Sequence, residues 1–284
     1  MRAYRLAYDG VPYHGFQRQP DVPTVEDALF GALGRLGVHH ENAEKPPGYA
    51  AAGRTDAGVS ALAQTVAFEA PDWLTPRALN SELPADVRAW ASADVPGGAN
   101  ADAPDDFHAT HDAASRTYTY HLHAPDASEA RAREAADRLE GTHDLHNLTS
   151  DDEGTERRID EVAVERDGEC ASEHDGEYLV IRVEAPGFCR HQVRRLVTVL
   201  ERVATGDRNP GYVSRVLATE PLTGPEGIPS AAPEPLALTG VEYPELEFTV
   251  DEEAAASARE IFEAKRIEHR TRARVARAIS RGVE

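Results

Sequence analysis

The densest group of reactive residue types is GRTDAG at residues 53–58, in which Asp56 lies between two glycines and two positions after Arg54. Glycines on both sides permit a tight backbone path, which would present the aspartate at the tip of a loop. A carboxylate displayed in this way can act as a nucleophile or as a general base. The same pattern also serves as a plain turn, so its meaning depends on what the rest of the chain supplies. Other reactive types are less organised. Cys170 and Cys189 are 19 positions apart without a CxxC pair, so neither a disulfide framework nor a zinc cage is expected. His121 with His123, and His143 with His146, are close pairs that lack a second cluster at ligand spacing, and no metal site is expected.

Hydrophobic periodicity predicts the elements that must hold this loop. Tyr4, Leu6 and Tyr8 alternate over residues 2–8 as a strand, and the turn-rich DGVPYHGFQRQPDVP follows. Thr24 is placed to cap a helix running to about Leu36, with Val25, Ala28, Leu29, Leu33 and Leu36 on one face. The apolar run QTVAFEA after GRTDAG and residues 87–93 predict two more strands. The small, acidic and Pro/Gly-rich PGGANADAPDD at 96–106 is the expected boundary between two parts. Beyond it, SRTYTYHLH at 115–123 alternates as a strand with Tyr118 and Tyr120 on one face. A helix is expected over 126–140 and strands near 159–166 and 177–184. Residues 188–205 place Val193, Leu196, Val197, Leu200 and Val203 at helical spacing, with Arg190 and Arg194 one turn apart. A last helix is expected from Glu252 to Ser280. Strands and helices do not alternate regularly, which predicts an α+β fold with mostly antiparallel pairing rather than a doubly wound sheet.

Composition narrows the setting. With 284 residues, 40% of them hydrophobic and 28% charged, the chain suits a globular protein of one large or two ordinary domains. No apolar run approaches the ~20 residues of a membrane span, and MRAYRLAYDG does not resemble a signal segment, so the cytoplasm is the expected location. The formal charge is -20, and of the 30 bases only Lys45 and Lys265 are lysines. A dense carboxylate surface of this kind suits work in molar salt, where self-repulsion is screened. Against this acidity, residues 265–284 carry seven bases and two acids, and Arg190, Arg194, Arg195, Arg202 and Arg208 form a second basic group. Together these groups favour a polyanionic partner, nucleic acid.

Seven motifs follow one another along the chain: YDGVPYHGFQRQP near the start, AAGRTDAGVSALAQ at 51–64, LNSELPADV at 79–87, FHAT with SRTYTYHL within 107–122, GTHDL at 141–145, PGFCRHQVRRLV at 186–197 and AAPEPLAL at 231–238. Taken in this order, they resemble the tRNA pseudouridine synthase A family. The resemblance implies the pseudouridine synthase fold, two similar α+β halves with a cleft between them. Residues 1–100 would carry the GRTDAG loop, residues 101–250 would carry Tyr118 and Arg194, and residues 251–284 would form the basic helix. It further implies an enzyme that isomerises uridine to pseudouridine in tRNA without a cofactor, working as a homodimer. Asp56 would be the nucleophile, Tyr118 would pack against the target base, Arg194 would pair with Asp56, and Arg54 would help hold the extruded nucleotide.

The targets so implied are uridines of the anticodon stem and loop, at roughly positions 38 to 40 of the tRNA, which a side chain reaches only after the nucleotide is flipped out. The sequence leaves both C6 of the base and C1′ of the ribose open as the point of attack. This chain departs from the family pattern at Phe16, Ser60, Thr110, Arg190 and Gln192, none of which alters Asp56, Tyr118 or Arg194. Two other readings compete. One is a tRNA-binding protein of the same fold without chemistry. The other is a glycosidase-like hydrolase, which needs a second carboxylate about 5 to 10 Å away.

Overall fold

The computed structural model of the chain describes residues 1–40, 43–96, 107–167 and 177–283. It begins with β1 (Arg2–Tyr8), α1 (Val25–Arg35), β2 (Ala50–Ala51), β3 (Ser60–Phe68), α2 (Pro76–Asn80) and β4 (Val87–Asp94). Then come β5 (Ser115–His123), α3 (Glu129–Asp137), β6 (Gly141–Asp144), β7 (Glu156–Ile159), β8 (Glu161–Arg166) and β9 (Tyr178–Ala185). The last elements are α4 (Gln192–Ala204), α5 (Tyr212–Val216), β10 (Leu236–Glu242), β11 (Thr249–Val250) and α6 (Glu252–Gly282). The expected boundary at 96–106 falls, from residue 97 onward, outside the described residues, as does Cys170.

Among the described residues nine strands form one sheet in the order β11-β4-β1-β3-β10-β5-β9-β8, with β2 also paired to β3. Every pairing in it is antiparallel except that of β10 with β3, where Ala237 faces Ser60 and Leu238 faces Ala61. The expected α+β class with mostly antiparallel pairing is therefore what the chain forms. The parallel seam divides two apolar cores. One is built around Tyr4, Leu6, Leu29, Leu33 and Phe68, the other around Leu139, Ile181, Leu196 and Leu200, and Tyr118 packs against both. Because β3 begins two residues after Gly58, the GRTDAG loop sits at this seam.

Local chemistry explains where the elements start and stop. β1 lies between β3 and β4 and is covered on both faces, so Ala3 and Ala7 are buried along with the alternating Tyr4, Leu6 and Tyr8. The Thr24 hydroxyl accepts from the Asp27 amide at 3.2 Å and caps α1, whose Val25, Leu29 and Leu33 are buried as the spacing predicts. The helix expected over 126–140 is shorter. Ser128 caps α3 so that it begins at Glu129, and Gly141, at φ +105°, already opens β6. The strand expected near 159–166 is β8 alone, because residues 156–159 form β7 and pair with β6 instead. The helix expected from 188 starts only at Gln192, since His191 takes the left-handed conformation at φ +60°. α6 is capped by Asp251 and buries only Ala254, Ala255 and Ala258, while residues 266–283 are all exposed. No helix of the described residues is long and apolar enough to cross a membrane.

Candidate active site

The loop that carries Asp56 is held at three points, each by a different element. The Gly53 carbonyl accepts from Nε2 of Gln64 at 2.9 Å, and Gln64 is fully buried on β3. The buried Thr55 hydroxyl lies 2.8 Å from the Tyr8 hydroxyl on β1, and its carbonyl accepts from the Phe16 amide at 3.1 Å. Gly58, at φ +81°, donates its amide to the Tyr13 carbonyl at 3.2 Å, and an added Cβ would stand 3.1 Å from Pro233. The Val59 amide donates back to the Asp56 carbonyl at 3.1 Å and closes the turn. A backbone tied at Gly53, Thr55 and Gly58 leaves Asp56 little freedom except in its side chain.

That side chain meets α4 across the seam. Nη1 of Arg194 donates to Oδ2 of Asp56 at 3.1 Å, and Nε of the same guanidinium donates to the Ala231 carbonyl at 2.6 Å. The Ala231 amide returns a bond to the Arg194 carbonyl at 3.1 Å, so the arginine is fixed at both its ends. The pair is partly screened from water, with 15% of the Arg194 side chain and 31% of the Asp56 side chain exposed. Nε2 of His191 stands 3.6 Å from the same Oδ2 and forms an ion pair when protonated. Left-handed backbone costs a non-glycine residue about 1–2 kcal/mol, and here it turns the imidazole toward the carboxylate. Both contacts fall on Oδ2, and Oδ1 makes no hydrogen bond with any described residue.

Tyr118 lies on β5 opposite Leu238 of β10 and Val183 of β9, and its ring meets the edge of Phe188 at a centroid distance of 5.3 Å. Burial pushes its hydroxyl up to about 12; the positive charge of Arg116 pulls against this, and the negative charge of Asp56 adds to it. It is therefore a neutral phenol, and a proton donor rather than a base, through the physiological range. Arg54 is exposed and makes no hydrogen bond or ion pair with any described residue, which leaves its guanidinium free to meet a ligand.

Two residues that composition and spacing did not single out complete the site. His191 is one, and its only sequence signal is its place three residues before Arg194 at the start of a helix. Arg116 is the other. It is 9% exposed and donates to the carbonyls of Ala52 at 2.7 and 3.1 Å, of Thr110 at 2.6 Å and of Pro186. It thereby joins the base of the Asp56 loop, the 107–112 loop and the segment that leads to His191. The signal that could have found it is its position two residues from Tyr118 on an alternating strand, which puts both on one face.

Three residues within the matched motifs support loops. Asp9 accepts from the Val11 amide at 3.0 Å, His108 accepts at Nδ1 from the Thr110 amide at 3.2 Å, and Asp144 accepts from the Thr155 hydroxyl at 2.6 Å. That last bond holds the Asp144 carboxyl below its ordinary range. The unusual residues are accommodated locally. Phe16 stacks on Tyr8 in the core, the Ser60 hydroxyl accepts from the Gly10 amide at 3.0 Å, and Oε1 of Gln192 accepts from the Cys189 amide at 2.8 Å. Among the described residues no three His, Cys, Asp or Glu gather as a metal-holding group.

A family profile described as tRNA pseudouridine synthase matches residues 135–244. Over the whole chain, the tRNA pseudouridine synthase A of Haloarcula marismortui is 55% identical, with 100% of both chains covered. That of Natronomonas pharaonis is 55% identical with 99% of both chains covered, and that of Methanocella arvoryzae is 39% identical over 90% of this chain and 89% of its own.

Proposed function

This chain belongs to the tRNA pseudouridine synthase A family, and on that premise we propose that it converts uridine to pseudouridine in the anticodon stem-loop of tRNA with Asp56 as the nucleophile. The observation that carries this reading is the fixed ion pair between Arg194 and Oδ2 of Asp56, which leaves Oδ1 without a protein partner. A nucleophilic carboxylate needs one oxygen held and the other aimed at an electrophilic carbon. The isomerisation breaks the bond between N1 and C1′, turns the uracil, joins C5 to C1′, releases the C5 proton and returns a proton to N1. Nothing is oxidised, reduced or hydrolysed, so the reaction needs no cofactor.

The remaining residues divide the work of presentation. A stem uridine must leave the helix at a cost of a few kcal/mol, and the exposed Arg54 next to the nucleophile holds the extruded nucleotide. The Tyr118 ring packs against the base, a kind of contact worth about 1–3 kcal/mol. Its neutral hydroxyl is a donor toward the uracil as the base turns. We place the two catalytic surfaces on residues 1–100 and 101–250, and we take the working form to be a cytoplasmic homodimer in a salt-rich cell. The acidic composition supports the last point, and so does the Haloarcula relative.

The test is tritium release from tRNA transcripts labelled at C5 of uridine, with wild type and Asp56→Asn in molar potassium chloride. Release by the wild type alone, mapped by a pseudouridine-specific chemical stop to the anticodon arm, is expected. Tight tRNA binding without release by either would instead support a binder without chemistry.

A further inference from the structure

We propose that the exposed end of α6 is an RNA-binding arm whose arginine stripe, Arg270, Arg274, Arg277 and Arg281, lies along the phosphate backbone of the bound tRNA. The inference rests on tRNA being the substrate and adds to it a contact surface far in sequence from Asp56. Spacings of four, three and four residues keep these arginines on one line of a helix with 3.6 residues per turn. The stripe runs about 16 Å along the axis at 1.5 Å per residue. Every residue from 266 to 283 is exposed, so the arm is not folded back on the sheet.

Charge complementarity selects the partner. The chain carries -20 overall, yet residues 265–284 have seven bases against two acids, so the rest is more acidic still. A generic solvated face would share the acidic composition; this one is reversed. All four stripe residues are arginine, whose planar fork grips a phosphate with two hydrogen bonds and keeps part of its hold when salt screens simple charge.

The place where the arm leaves the body points the same way. Nζ of Lys265 lies 2.6 Å from Oδ2 of Asp9 and 2.5 Å from Oδ1 of Asp86, and this double ion pair pins the helix where its exposed part begins. Asp9 starts the loop that cradles the catalytic turn. Gly10 donates to the Ser60 hydroxyl, the Tyr13 carbonyl accepts from Gly58, and the Phe16 amide donates to Thr55. The stripe thus begins about 8 Å and ends about 24 Å along the helix from an anchor on the Asp56 side of the molecule.

The experiment compares wild type with a variant in which all four stripe arginines are glutamine, using a tRNA transcript and titrating potassium chloride. Because the four side chains are exposed, helix content and melting temperature report directly on whether the variant is folded. The expected result is at least 10-fold weaker tRNA binding, and a slope of log affinity against log salt that is shallower by about 3, since each phosphate contact contributes about 0.7–0.9. Arg274→Gln alone should weaken binding more than Arg272→Gln alone, because Arg272 is off the stripe and is paired with Glu268. Unchanged affinity and slope would overturn the proposal, and so would equal losses from the two single variants. A variant that changes from dimer to monomer in sedimentation but binds tRNA normally would assign the stripe to the acidic surface of a second copy, which also overturns it. Absence of tritium release by the wild type would count against the catalytic reading alone, since affinity and salt slope are read without it.

Discussion

At the scale of single residues the site depends on asymmetry within one carboxylate. Arg194 and His191 both engage Oδ2 of Asp56 and none of the described residues engages Oδ1, so the side chain is oriented by one oxygen and open at the other. Arg194→Lys keeps the charge but cannot reach Asp56 and the Ala231 carbonyl together. A roughly 100-fold drop in kcat with little change in KM is expected, because a misplacement of about 1 Å costs that much. Single-turnover kinetics on a tRNA transcript would check it; an unchanged kcat would mean that charge alone suffices. The glycine spacing of GRTDAG and the resemblance made Asp56 and its partners legible. His191 was not, because a left-handed backbone at a helix start leaves no periodic trace in a sequence.

At the scale of elements, Arg116 ties β5 to three segments, the base of the Asp56 loop, the 107–112 loop and the segment that leads to His191. Replacing it with methionine would strip hydrogen bonds from the Ala52, Thr110 and Pro186 carbonyls, at about 1–3 kcal/mol for each that stays buried. A loss of at least about 3 kcal/mol in urea unfolding is expected, together with a lower kcat in the folded fraction. A kcat equal to wild type in that fraction would leave Arg116 a purely structural role. The capping hydroxyl of Thr24 is a smaller and more local contribution, so Thr24→Ala should cost about 1 kcal/mol and leave the kinetics unchanged. Element limits were legible where a cap or an alternation was strong, as for α1 and β5. They were misjudged where a tight turn intervened, as at Cys189–Gln192 before α4.

At the scale of the whole molecule, acidity and buried phenols set opposite limits. The charge of -20 repels itself at low ionic strength, so the melting temperature should rise with potassium chloride and level off toward about 1 M, where the Debye length is ~3 Å. Calorimetry across a salt series reads this, and a flat profile would refute it. Burial pushes Tyr118 and Tyr243 up to about 12 and raises Tyr4 and Tyr8 as well. An unfolded tyrosine titrates near ~10, so between ~10 and about 12 the unfolded chain binds fewer protons than the folded one. Stability must therefore fall as pH rises through that window, and a melting temperature that held constant to pH ~12 would be inconsistent with it. The sequence by itself determined the α+β class, the acidic character, the basic last helix and the short list of Asp56, Tyr118, Arg194 and Arg54. The first three follow from composition and periodicity, and the list is what the resemblance of short motifs to the family implies. Only the tertiary structure decided which oxygen of Asp56 is held, that His191 joins Arg194 there, that Arg116 binds the loops together, and that α6 is pinned to Asp9 and Asp86 where its exposed part begins. These depend on a single left-handed residue and on contacts between residues far apart in the chain, 64 positions for Arg116 with Ala52 and 138 for Arg194 with Asp56, and the parallel pairing of β10 with β3 sets Ala237 against Ser60 beside the Asp56 loop.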